Sequence, residues 1–181
     1  MTGSGAVLCE ITDVVDAVYR LLESGRAEIS VAIQREAPEL ELRHVLDYYC
    51  ELDRGQMPAI MIQPRSDQFK WWSMPTMADQ TPQLEIWGVI HYDQERARSR
   101  ALQRMGTAVC SILNGRHLPI DIPGGSLFFN EKTPIAGIEY GRAMFRNVLV
   151  EAFVATFACD VTVQLPDQGQ HAGNPAVMNP L

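Results

Sequence analysis

QLEIWGVIHYDQERARSRALQRMGTAVCSILNGR, residues 83–116, is the stretch whose reading decides the fold. Its first ten residues alternate. Leu84, Ile86, Gly88, Ile90 and Tyr92 fall on one side, and Gln83, Glu85, Trp87, Val89 and His91 on the other, which is the period of a sheet strand. At Asp93 the period changes. Ala97, Ala101, Met105, Ala108, Val109, Ile112 and Leu113 then recur at three- and four-residue steps, the spacing of one helical face. Asp93 is the expected cap of that helix and Asn114-Gly115 its expected stop. A strand therefore runs directly into a long amphipathic helix, with no catalytic motif in it.

Upstream, Ile11 to Ser24 reads as a helix. Thr12 or Asp13 caps it, Val14, Val15, Val18, Leu21 and Leu22 form its apolar stripe, and Gly25 ends it. Glu28 to Arg35 alternates, with Ile29, Val31 and Ile33 on one face, and reads as a strand. After Pro38, Leu42, Val45, Leu46 and Tyr49 are helically spaced, so Glu39 to Leu52 reads as a second helix. Ala59 to Gln63 reads as a short buried strand between Pro58 and Pro64. Phe69, Trp71 and Trp72 follow in a further strand or in the approach to a hairpin through Pro75 and Pro82.

Downstream, Leu118 to Thr133 is loop-like, with Phe128 and Phe129 in a short strand. Gly137 to Arg142 reads as a turn or a short extended segment. Asn147 to Gln164 carries the longest extended pattern, with Leu149, Phe153, Phe157, Val161 and Val163 on one face. A strand of that length is expected to twist, bulge or outrun its sheet. Pro166 to Leu181 is rich in Pro, Gln, Gly and Asn, too poor in large apolar groups to order itself alone. The expectation is one α+β domain over residues 1–165, with a mixed or antiparallel sheet and helices packed on one face. Residues 166–181 would be a flexible or partner-ordered tail.

Composition sets the outer limits. In 181 residues, 46% are hydrophobic and 20% charged, the proportions of a globular chain with a real core. The net charge of -7 opposes broad binding to DNA or to an anionic membrane. Cys9, Cys50, Cys110 and Cys159 are dispersed without a CxxC, which favours free thiols in a reducing cytoplasm, buried for Cys110 and Cys159. Met1 to Glu10 lacks the pattern of a signal peptide, and no apolar run reaches the length of a membrane span.

Few residues invite a chemical reading. His91, Asp93 and Glu95 have a metal-like H-x-D-x-E spacing, but Asp93 and Glu95 suit a helix start better. Gly124-Gly125-Ser126 lacks the lysine and the strand–loop–helix frame of a phosphate loop. No serine or thiol has an activating signature, and His44, His91, His117 and His171 are scattered. No catalytic, cofactor or metal site is expected. Two groups instead read as candidate protein interfaces. Arg96, Arg100 and Arg104 form a row at four-residue steps opposite the helix's apolar stripe, either a solvated face or the complement of an acidic patch on an identical neighbour. Phe69, Trp71, Trp72, Met74 and Met77 concentrate large apolar groups, either as the inner face of a hairpin or as a docking loop.

The order of elements resembles the tail-terminator (tail-completion) proteins of tailed bacteriophages. The stretches that carry the resemblance are ITDVVDAVYRLLES, MPAIMIQP, EIWGVIHYDQERARSRALQRMGTAVCSIL and RNVLVEAFVATFACDVTVQ, which together cover most of residues 11–164. The resemblance implies an α+β fold, no catalysis and no cofactor. It implies a structural virion protein, assembled in the host cytoplasm, that forms a homohexameric ring at the head-proximal end of the tail. Such a ring caps the tail tube, stops its polymerisation and provides the head–tail joining surface. The implied partners are copies of itself, the tail tube protein and a neck or head-completion protein, with the sheath as a further candidate. DNA would be passing cargo only. A neck protein is the alternative within the virion, and a small cytoplasmic α+β enzyme is the alternative outside it.

Overall fold

The computed structural model describes residues 11–71, 77–114, 127–129, 135–159 and 161–164. Among them the elements are α1 (Ile11–Ser24), α2 (Arg26–Gln34), β1 (His44–Leu46), β2 (Ala59–Trp71), β3 (Met77–Ile90), α3 (Glu95–Asn114), β4 (Leu127–Phe129), β5 (Ile135–Phe145), β6 (Val148–Ala158) and β7 (Val161–Gln164). The strands form one mixed sheet in the order β1-β2-β3-β6-β5, with β7 pairing β3 and β4 pairing β7. Only β1 runs parallel to its neighbour. The fold is α+β, with its helices on one face.

The alternation of residues 83–90 does what its period dictates. Leu84, Ile86 and Ile90 are buried in the cluster beneath the helices, while Trp87 and Val89 join a cluster on the opposite face. The stripes of α1 and α3 meet the first set: Val14, Val18 and Leu22, with Ala101, Met105, Val109, Ile112 and Leu113, are buried there with Phe153 and Phe157 of β6. Two glycines let α3 sit this low. A Cβ at Gly88 would lie 2.1 Å from the Phe153 ring, and one at Gly106 would lie 2.7 Å from the Tyr140 hydroxyl. Phe153 therefore occupies the gap between strand and helix that these two residues leave.

Two sequence expectations are overturned. Glu28 to Arg35 is not a strand but lies largely in α2. Ile29 and Ile33 are one helical turn apart and fully buried, whereas Val31, which alternation would bury, is 54% exposed. Short runs satisfy both periods, and packing against α3 selected the helical one. Glu39 to Leu52 is not a helix either. The Leu42 N–H donates to Ser30 Oγ at 3.2 Å, the Arg26 guanidinium donates to the carbonyls of Leu42 and Arg43, and the Arg43 N–H donates to the Pro58 carbonyl. With its polar groups met by α2 and β2, this backbone needs no helical ladder. It forms only β1, His44 to Leu46, alongside Ala59 to Met61.

Other boundaries move. Helix α1 has the expected limits, and Gly25 ends it by turning the chain straight into α2. Helix α3 begins at Glu95 rather than directly after Asp93, with the Arg98 N–H bonding the Gln94 carbonyl. The Asp93 carboxylate instead lies 3.8 Å from His91 Nε2. At its other end Asn114 closes the helix by exchanging two hydrogen bonds with the Ile135 backbone. Strand β2 does not stop at Pro64, because a bulge at Arg65 lets it continue to Trp71. Gly137 to Arg142 takes the extended of its two readings, as the middle of the longer strand β5. The long extended run from Asn147 divides into β6 and β7 near Cys159, and both halves pair with β3. The residues assigned to a C-terminal tail lie outside the described residues.

Candidate functional site

Of the apolar interface candidates, Phe69 and Trp71 lie in β2 and Met77 opens β3, the two strands of one hairpin. Beyond Ile62 and Leu84 the two strands continue together, with Pro82 and Gln80 still buried: Phe69 is opposite Gln80, and Trp71 opposite Ala78. There β7 pairs with β3, and β4 with β7, so the hairpin belongs to a smaller ladder that extends the sheet. Trp72 and Met74 lie outside the described residues. Of the two sequence readings, a further strand or the approach to a hairpin, the hairpin is the one present, but Pro82 lies inside β3 opposite Asp67 rather than in its turn, and Pro75 lies outside the described residues.

The arginines on α3 have more specific placements. Arg104 Nε donates to Glu36 Oε1 at 2.6 Å, and Arg100 Nη1 lies 3.8 Å from Glu36 Oε2. One carboxylate just past α2 thus gathers two members of the row and ties α2 to α3. Arg96 is exposed and has no ion pair among the described residues. Sequence spacing identified the row but not Glu36, since the acceptor is 68 residues from Arg104.

Arg98, adjacent to the row in sequence, turns inward. Its Nη1 donates to the Tyr92 carbonyl at 2.7 Å and its Nη2 to Glu151 Oε1 at 3.3 Å. Both side chains are mostly buried, so this pair fastens the strand-to-helix junction to β6. Glu95 in the first turn of α3 reaches Arg142 of β5 at 2.9 Å. Ser99, Leu102 and Gln103 of α3, Tyr140, Gly141 and Arg142 of β5, and Glu151 of β6 line an open groove.

The H-x-D-x-E residues do not converge. Asp93 is solvated near His91, and Glu95 is committed to Arg142. Burial holds the His91 imidazole below its ordinary pKa; Arg54 and Arg98 add to the shift and Asp93 opposes it. Among the described residues no group of three His, Cys, Asp or Glu side chains is placed to hold a metal. Cys50 and Cys110 are free thiols, Cys159 is buried and Cys110 half-buried, and the pKa of Cys110 is raised by burial. No helix of the described residues is long and apolar enough to cross a membrane.

No protein-family model matches the chain, and no curated protein matches it.

Proposed function

We propose that this protein is a structural virion component, a tail terminator of a tailed bacteriophage that closes the head-proximal end of the tail tube. In this reading copies of the chain form a ring that meets the last tube ring on one face and a neck protein on the other. The observation that carries the reading is the β2–β3 hairpin. Its strands continue beyond Ile62 and Leu84 into the smaller ladder that β7 and β4 add to the same sheet, and their backbone includes Phe69 and Trp71 of the apolar interface stretch. An extension of this kind reaches a neighbour without disturbing the core, and ordered ladders give it a fixed shape. The element order behind the resemblance, with a strand leading into α3 and a closing strand beside it, supports the same reading.

The test is electron microscopy of gold-labelled protein mixed with growing tail tubes of the phage that encodes it. Label at one tube end, together with arrested tube length, is the expected result. Label on capsid vertices instead would assign the protein to the neck, and binding to neither would overturn the virion reading.

A further inference from the structure

The two outer strands of the main sheet differ in how they meet solvent. On one side β1 is only three residues long, and beyond it β2 is interrupted by Pro64 and the bulge at Arg65. Such features discourage another chain from pairing. On the other side β5 pairs only with β6 among the described residues, and from Gly137 to Phe145 its register is unbroken. Tyr140 and Met144 on this strand are 47% and 60% exposed. An uninterrupted edge with exposed apolar side chains is a template for strand addition.

The residues of β5 specify which strand fits. A two-fold axis perpendicular to the sheet keeps each face on its own side, so it pairs only residues that already share a face. Centring it on Glu139 or Arg142 would place like charges opposite each other, and centring it on Tyr140 would place Ile138 against Arg142. Centring it on Gly141 avoids both. Tyr140 then faces Arg142 of the second copy, Ile138 faces Met144, and Glu139 faces Ala143, each contact occurring twice. Cation meets aromatic ring, and apolar meets apolar. Arg142 is available for this because its only described partner is Glu95 in a solvent-exposed pair.

We infer that the β5 edge is a self-association surface, on which a second copy of this chain adds its own β5 antiparallel, with Gly141 on the two-fold axis. The resulting sheet is continuous across the two copies. This inference concerns the free protein and stands apart from the ring reading, since it does not use the β2–β3 hairpin. A closed ring would be built through other patches, because head-to-tail contacts need two different surfaces.

Gly141 provides the decisive probe. A Cβ there meets nothing within 4 Å, so a cysteine fits the folded chain. Opposed residues of an antiparallel pair have Cα atoms about 4.5–5.5 Å apart, inside disulfide range. Two copies of residue 139 would be roughly 14 Å apart, outside it. Under mild oxidation, Gly141→Cys should therefore give a reducible dimer well above the background of the native thiols in the wild type, and Glu139→Cys should not. Sedimentation of the wild type should show the mass rising with concentration from 20.2 kDa towards twice that value. Arg142→Glu should shift this rise to higher concentration. A wild type that stays monomeric, with no excess crosslink at Gly141→Cys, would overturn the inference. So would a ladder of higher oligomers from Ser66→Cys/Gly141→Cys, which would mean head-to-tail pairing of β5 with β2.

Discussion

The two faces of the sheet are both buried near its centre, but by different means. On one face α1 and α3 lay down periodic stripes, and their side chains interlock with Phe153 and Phe157. On the other, the irregular segment between β1 and β2 folds across the strands, bringing Leu52 and Met57 against Ala59, Met61, Val89, Phe145 and Val150. Tyr49 adds an edge contact to Trp87 and a tilted ring contact to Phe145. A helix can supply a stripe because its backbone bonds are satisfied internally. A loop must find partners for its backbone, and here Arg43 donates to the Gly55 carbonyl while Gln56 accepts from the Asp53 N–H. The loop face is therefore expected to open locally before the helix face does.

Phe153→Ala should have the largest effect on this contrast. It removes the side chain held between Gly88 and Gly106, and should cost about 3–5 kcal/mol in urea unfolding, with α3 losing hydrogen-exchange protection. Leu52→Ala should cost less, about 2 kcal/mol, because the loop can settle into the space. Its loss of protection should be confined to the loop face; an equal loss in α3 would show that the two faces unfold as one. Gly88→Ala should cost about 1–3 kcal/mol by pressing a methyl group onto the Phe153 ring. Adding Phe153→Leu should recover part of that loss, and simple additivity of the two changes would refute the proposed contact.

Smaller effects address the ties on the loop side. Arg146 at the β5–β6 turn binds Asp53 in the loop at 3.0 Å, and both groups are exposed. Arg146→Ala should change global stability by less than about 1 kcal/mol while increasing exchange in the loop. His91 should give the smallest signal. Its folded pKa is lowered, so the unfolded chain binds its proton more readily. Its contribution to stability is thus complete above the ordinary histidine range and declines as pH falls through and below about 6.5. A pH series of urea midpoints on the wild type and His91→Asn should show this slope in the former and a weaker one in the latter.

The contrast also explains which parts were legible beforehand. The stripes of α1 and α3 and the alternation in β3 were readable because each repeats over enough residues to exclude the other period. Residues 28–35 were too few for that, and their alternation concealed Ile29 and Ile33 one turn apart. In Glu39 to Leu52 the apolar spacing was real, since Leu42, Val45 and Leu52 are buried, but they are divided between the two faces. Of the interface candidates, the arginine row was visible as spacing. Glu36, which engages Arg100 and Arg104, and Glu151, which engages Arg98, were not, because nothing local marks a residue as an acceptor for a distant cation.

By itself the sequence determined α1, the strand leading into α3 and the α+β class. These follow from local periodicity and from residues that cap or interrupt it. Only the tertiary structure decided that residues 28–33 are helical, that β1 is parallel, that Arg98 turns inward, and that β5 is the last strand of the sheet among the described residues. Each of those outcomes depends on which distant group meets a backbone amide, a guanidinium or an apolar surface, and that information is not contained in any local window of the chain.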